Sequence, residues 1–136
     1  MSRLLSSARR IAASLAVLLL ATGLTMPPAT ASTATHRIDI RGLVVCDPAA
    51  EQWVVTWTVA SHAEEWGTIG NVRAYPAGRA LAGLPNRIPP GATISGEQRM
   101  LAAEYTGSIT FDVNWDDGVV TFNHSWPVYI MTTCHS

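Results

Sequence analysis

The sequence predicts an all-β sandwich closed by one disulfide, and three observations carry that prediction. Apolar residues alternate with period two along runs rich in β-branched and aromatic side chains, as a pleated, half-buried strand requires. Turn signals separate those runs at regular spacing, and no amphipathic helix of useful length lies between them, the pattern of a sandwich of short strands. The two cysteines, Cys46 and Cys134, lie near opposite ends of the exported segment.

Residues 1–31 read as a signal peptide. Arg3, Arg9 and Arg10 form a positive start, Ile11 to Leu24 is an apolar run too short for a bilayer-spanning helix, and Ala29-Thr30-Ala31 after Pro27-Pro28 is a small-x-small cleavage site. Arg9-Arg10 leaves twin-arginine export open beside the general secretory route. The mature domain is then Ser32–Ser136. With no second hydrophobic segment or sorting signal in the sequence, it is expected to be secreted, extracellular or cell-wall associated, without membrane insertion after signal removal.

Taken in order, the first strand spans Arg37 to Val45, with Ile38 and Ile40 alternating against Asp39 and Arg41 before Gly42 interrupts. That glycine suggests a bulge or a switch between sheets. In Gln52 to Ala60, Trp53, Val55, Trp57 and Val59 share one face. Thr68 to Tyr75 leaves Gly67 as a third strand. Pro76 to Pro90 reads as a long Pro/Gly-rich loop carrying at most a short edge strand. Ala92 to Leu101 follows the turn Pro89-Pro90-Gly91, and Ser108 to Trp115 points Ile109, Phe111, Val113 and Trp115 to one side. Asp117-Gly118 is the favoured dipeptide of a two-residue type I′ turn. It leads to a last run in which Val120, Phe122, His124, Trp126 and Val128 line one side. Trp57, Trp115 and Trp126 are expected to fill the core.

In an exported protein an even cysteine pair is most simply a disulfide. Both cysteines lie at the C-terminal ends of their strands, so a bridge between straight strands makes the first and last run parallel. That arrangement closes an immunoglobulin-like sandwich of six to seven mostly antiparallel strands. The antibody-type bridge is not expected, because Thr132 stands where a tyrosine would precede the second cysteine and Cys134 lies at the chain end rather than on a penultimate strand.

The series Cys46, WVVTWTV from Trp53 to Val59, LAGLPNRIPPG from Leu81 to Gly91, NWDDG from Asn114 to Gly118, and Cys134 resembles the repeated immunoglobulin-like domains of actinobacterial cell-surface proteins. The resemblance implies a spacer or adhesion-accessory module. The sequence departs from the family's usual setting in showing one such domain without a head or a sortase anchor.

Charge and composition narrow the function classes. The whole sequence carries −1, and loss of Arg3, Arg9 and Arg10 with the signal leaves the mature domain at −4. A weakly acidic domain without lysine or a basic stripe is a poor nucleic-acid ligand, since phosphate contacts dominate that affinity. Asp112, Asn114, Asp116 and Asp117 resemble the start of a calcium loop, but Asp117 and Asn123 stand where glycine and glutamate belong. Zinc binding by Cys46, His124, Cys134 and His135 lacks any supporting spacing. Glu64-Glu65 and Ser95-Gly96-Glu97 form no recognisable hydrolytic arrangement. A thioester between Cys46 and Gln52 or Gln98 would leave Cys134 unpaired. No catalytic residue, metal or cofactor is therefore assigned, and the protein is expected not to be an enzyme.

The expected function is that of a secreted, non-catalytic structural or protein-interaction domain, a monomer binding an unknown protein or cell-wall component. The alternative is a carbohydrate- or ligand-binding module using Trp53, at a strand start, and Trp66, beside Gly67 in a loop, as solvent-facing platforms. A third reading makes the Pro76–Pro90 loop the element of an inhibitor of a secreted enzyme.

Overall fold

The computed structural model describes residues 36–79 and 81–135; the signal-peptide reading of 1–31 lies outside them. Eight strands form: β1 (Ile38–Asp47), β2 (Gln52–Ser61), β3 (Gly67–Tyr75), β4 (Leu81–Ala82), β5 (Arg87–Ile88), β6 (Thr93–Leu101), β7 (Thr106–Trp115) and β8 (Val120–Tyr129). They make two four-stranded antiparallel sheets, β1-β2-β6-β4 and β5-β3-β7-β8. The chain is thus an immunoglobulin-like β-sandwich, with β4 and β5 as two-residue pieces within the long 76–90 loop.

The period-two faces meet between the sheets. Trp53, Val55, Trp57 and Val59 from β2 pack with Ile109, Phe111, Val113 and Trp115 from β7, and all eight are buried. Burying side chains of this size contributes about 1.5–3 kcal/mol each by transfer. Because β2 and β7 are inner strands of their sheets, their inward residues are covered on both sides.

β1 runs without a bulge: its register against β2 is unbroken from Ile38↔Ser61 to Asp47↔Gln52. Gly42 serves close approach instead. A Cβ there would lie 2.5 Å from Val128 Cγ1 and 2.8 Å from the Trp57 ring, so the absent side chain lets β8 close against β1.

The β7–β8 hairpin forms, but its turn differs from the two-residue type I′ expectation. Trp115 N–H donates to the Val119 carbonyl and Gly118 N–H to the Trp115 carbonyl, and of the three residues between, Gly118 has positive φ (89°). This is a three-residue loop ending in a left-handed glycine. A register shift between Phe111 and Val113, with Asn123 at φ 57°, accounts for the extra residue. The shift also splits the last run: Phe122 is 67% exposed, whereas His124 stays opposite the buried Phe111.

Cys46 and Cys134 are bridged, with Cα atoms 5.4 Å apart and 88 residues between them in sequence. Closing such a loop is worth about 4–5 kcal/mol in the chain-entropy account. Gly42 meeting Val128 and Cys46 meeting Cys134 set β1 and β8 running in the same direction. No ladder joins them, however, because each is the edge strand of a different sheet.

Candidate binding surface

The open side of the sandwich, between β1 and β8, gathers the accessible chemistry. At the disulfide end the two strands are held together by the bridge and by the Gly42–Val128 contact. Toward the start of β1 they part. A groove of about 720 Å³ opens there, lined by Arg37–Gly42 on one wall and His124, Ser125 and Trp126 on the other.

Trp126 is placed by register. It lies opposite Ile109 on β7, so its ring points to the inner side of the sheet, as the sequence period predicts. The core expectation nonetheless fails, and Trp126 is 48% exposed. β8 is an edge strand, and at this height the opposing β1 has moved away to leave the groove. Period reports which face a side chain takes; it does not report whether another strand covers that face.

His124, next along the same face, is half-buried and stacks on Phe111 with ring centroids 5.7 Å apart. Its Nε2 lies 2.7 Å from Thr121 Oγ1, and that oxygen also accepts a 2.9 Å bond from the Trp115 indole N–H. With the hydroxyl accepting from Trp115, its own proton is free to donate to Nε2, the pattern of a neutral imidazole. Burial pushes the His124 pKa down, partly opposed by the Asp112 carboxylate. On the other wall, Arg37 holds Asp39 through two bonds of 3.1 and 2.9 Å, and His62 approaches the same carboxylate at 2.8 Å. Those contacts, the Arg37 bond first, keep the Asp39 carboxyl below its usual range. Arg41 forms no ion pair among the described residues.

The two tryptophans expected to face solvent separate. Trp53 is 3% exposed, packed in the core with its indole N–H on the Ala102 carbonyl. Its position at a strand start does not expose it, because β2 is flanked on both sides and this residue faces inward. Trp66 is 44% exposed, and one ring face carries the Arg87 guanidinium 5.1 Å from the centroid. Arg87 is fixed in turn by two bonds to Asp116 of 2.7 and 2.9 Å and one to Thr68. A paired Trp53–Trp66 platform for sugar rings therefore does not exist. Trp126, read from sequence as core, is the better placed aromatic.

The remaining sequence candidates have structural partners. Asp112 accepts from the Asn123 backbone N–H at 2.8 Å and the Asn71 amide at 2.9 Å, and these bonds hold its carboxyl below the usual range, Asn123 contributing most. Asp117 accepts from the Val119 N–H and approaches His36 at 2.7 Å. With Asp116 on Arg87, the acidic series is consumed in bracing bulges and the hairpin loop. Gln98 is fully buried, accepting from Trp57 and donating to the Tyr75 carbonyl, so its amide has no thioester partner in the disulfide-bonded Cys46.

Comparison of the chain with protein-family models, with curated proteins and with solved structures found no match.

Proposed function

We propose that the mature domain is a secreted, non-catalytic binding module that holds an extracellular protein or cell-wall component along its β1–β8 side. The observation that carries this reading is Trp126, an inward-facing ring on edge strand β8 that is 48% exposed on the groove wall, with Phe122, Tyr129 and Met131 also exposed on and after that strand. Large exposed apolar patches bordered by polar residues mark interaction surfaces, and aromatic residues are enriched in such interfaces. The groove beside Trp126 takes polar definition from His124 on the same face. The signal-like leader, the disulfide and the resemblance to actinobacterial surface domains all support an exported setting.

Immobilised Ser32–Ser136 tests the reading against secreted proteins and cell-wall fractions. Capture of a defined partner is expected, with loss of about tenfold or more in affinity on Trp126→Ala or Phe122→Ala and no change in thermal midpoint. Capture that survives both substitutions rejects this surface. The half-exposed Trp126 also supports a second reading, a glycan stacked on that ring. Retention on soluble glycans lost with Trp126→Ala, without a protein partner, would favour it.

A further inference from the structure

The four sheet edges of this sandwich are not equivalent. A free edge presents unpaired N–H and C=O groups, and soluble proteins blunt such edges with short strands, prolines or bulges. β4 and β5 are two residues each. β8 carries the Asn123 bulge and Pro127. The bond from the Ile130 N–H to the Tyr105 carbonyl sets even-numbered residues of β8 toward β7, so Pro127 occupies the outer side, where it removes a donor.

β1 has none of these devices. It is ten residues long, in unbroken register, with neither proline nor lysine. The His62 N–H donates to the Arg37 carbonyl, which in this register turns the odd-numbered residues of β1 toward β2. The backbone groups of Ile40, Gly42, Val44 and Cys46 therefore lie on the outer edge without a ladder partner. Leu43 and Val45, 65% and 55% exposed, project from the outer sheet face beside them.

We propose that β1 pairs antiparallel with β1 of a second copy, Val44 lying on the two-fold axis, to join the two β1-containing sheets into one. The sequence of β1 is self-complementary in that register. Leu43 stands opposite Val45 of the second copy, and Arg41 stands opposite its Asp47, each pair occurring twice. These are the non-hydrogen-bonded positions, where Cα atoms approach to about 4.5 Å and side chains meet most closely. Arg41, which forms no ion pair among the described residues, gains a carboxylate; Asp47 already faces Arg99 at 3.2 Å and is shared between two guanidinium groups. Leu43 and Val45 point away from the sandwich interior, so the pairing does not use Trp126, although Ile40–Gly42 also form one wall of the groove.

Sedimentation equilibrium on Ser32–Ser136, up to about 0.3 mM, tests it. A reversible dimer is expected. Arg41→Glu should weaken it about tenfold, and Leu43→Lys with Val45→Lys should leave a monomer with an unchanged thermal midpoint. Mixing a Leu43→Cys chain with a Val45→Cys chain should give severalfold more cross-linked dimer than either chain alone. Trp126→Ala should still dimerise, which separates this result from the groove test. A monomer throughout the concentration range overturns the proposal. So does a dimer indifferent to Arg41→Glu, or one that cross-links no better in the mixture.

Discussion

A single buried glutamine shows how polar chemistry is tolerated in this core. Gln98 on β6 is fully buried, takes the Trp57 indole N–H at 2.9 Å and gives its own amide to the Tyr75 carbonyl at the end of β3. One side chain thus satisfies a donor in its own sheet and an acceptor in the facing sheet. Gln98→Leu keeps the volume but strands the buried Trp57 N–H away from water, at roughly 1–3 kcal/mol, and removes the bond to the Tyr75 carbonyl. Chemical denaturation should show that loss, and Gln98→Glu should not restore stability, because it puts a charge among apolar neighbours. A loss below about 0.5 kcal/mol would show that water replaces the amide. From sequence Gln98 is merely one residue in a run with alternating pattern; its role needs the two sheets to be brought together before it can be seen.

At the scale of strands, legibility depends on position within the sheet. β2 and β7 are inner strands whose period-two pattern places their inward residues correctly, as Trp57 and Trp115 show by their burial; the solvent-facing expectation for Trp53 fails because it sets the strand start above that same period. β1 and β8 are edges, and there the reading strays. Trp126 faces inward yet meets solvent, and Phe122 leaves its expected face at the Asn123 bulge. That bulge is held by Asp112, whose carboxylate bonds Asn123 and Asn71, the latter also at positive φ (50°). A pattern of alternating residues contains no record of such long-range bracing. Gly42 is the converse case: a glycine in a strand is visible in sequence, but the reason for it is the Val128 side chain more than eighty residues away in sequence. Gly42→Ala should cost about 1–3 kcal/mol by overpacking and loosen the β1–β8 closure. Faster hydrogen exchange along β8 than along β3 would report that loosening; equal rates would show that Val128 moves aside without consequence.

For the whole molecule, charge placement predicts how the fold responds to acid. Asp39, Glu104, Asp112, Asp116 and Asp117 all have carboxyl groups held below their usual range, chiefly by hydrogen bonds from Arg37, Arg79, the Asn123 N–H, Arg87 and the Val119 N–H respectively. A carboxylate lowered in the folded state contributes stability above its unfolded pKa, about 4, and that contribution is lost as pH falls through the lower folded value. His124 acts in a different window. Burial lowers its pKa, so the unfolded chain binds a proton first as pH drops below about 6.5. Stability is fully present above that value and declines below it until the folded imidazole also titrates. Thermal midpoints should therefore fall in two stages, a shallow one below about 6.5 and a steep one below about 4. His124→Gln should flatten the first stage and leave the second intact, since none of the five carboxylates relies on His124 for its main bond. The same protonation would put a positive charge beside Trp126 in the groove, so affinity for a cationic partner should fall over the first stage while affinity for an anionic one rises. Partner affinity that stays constant from pH 7 to pH 5, with the wild-type first stage present, would show that His124 serves the fold and stands outside the binding surface.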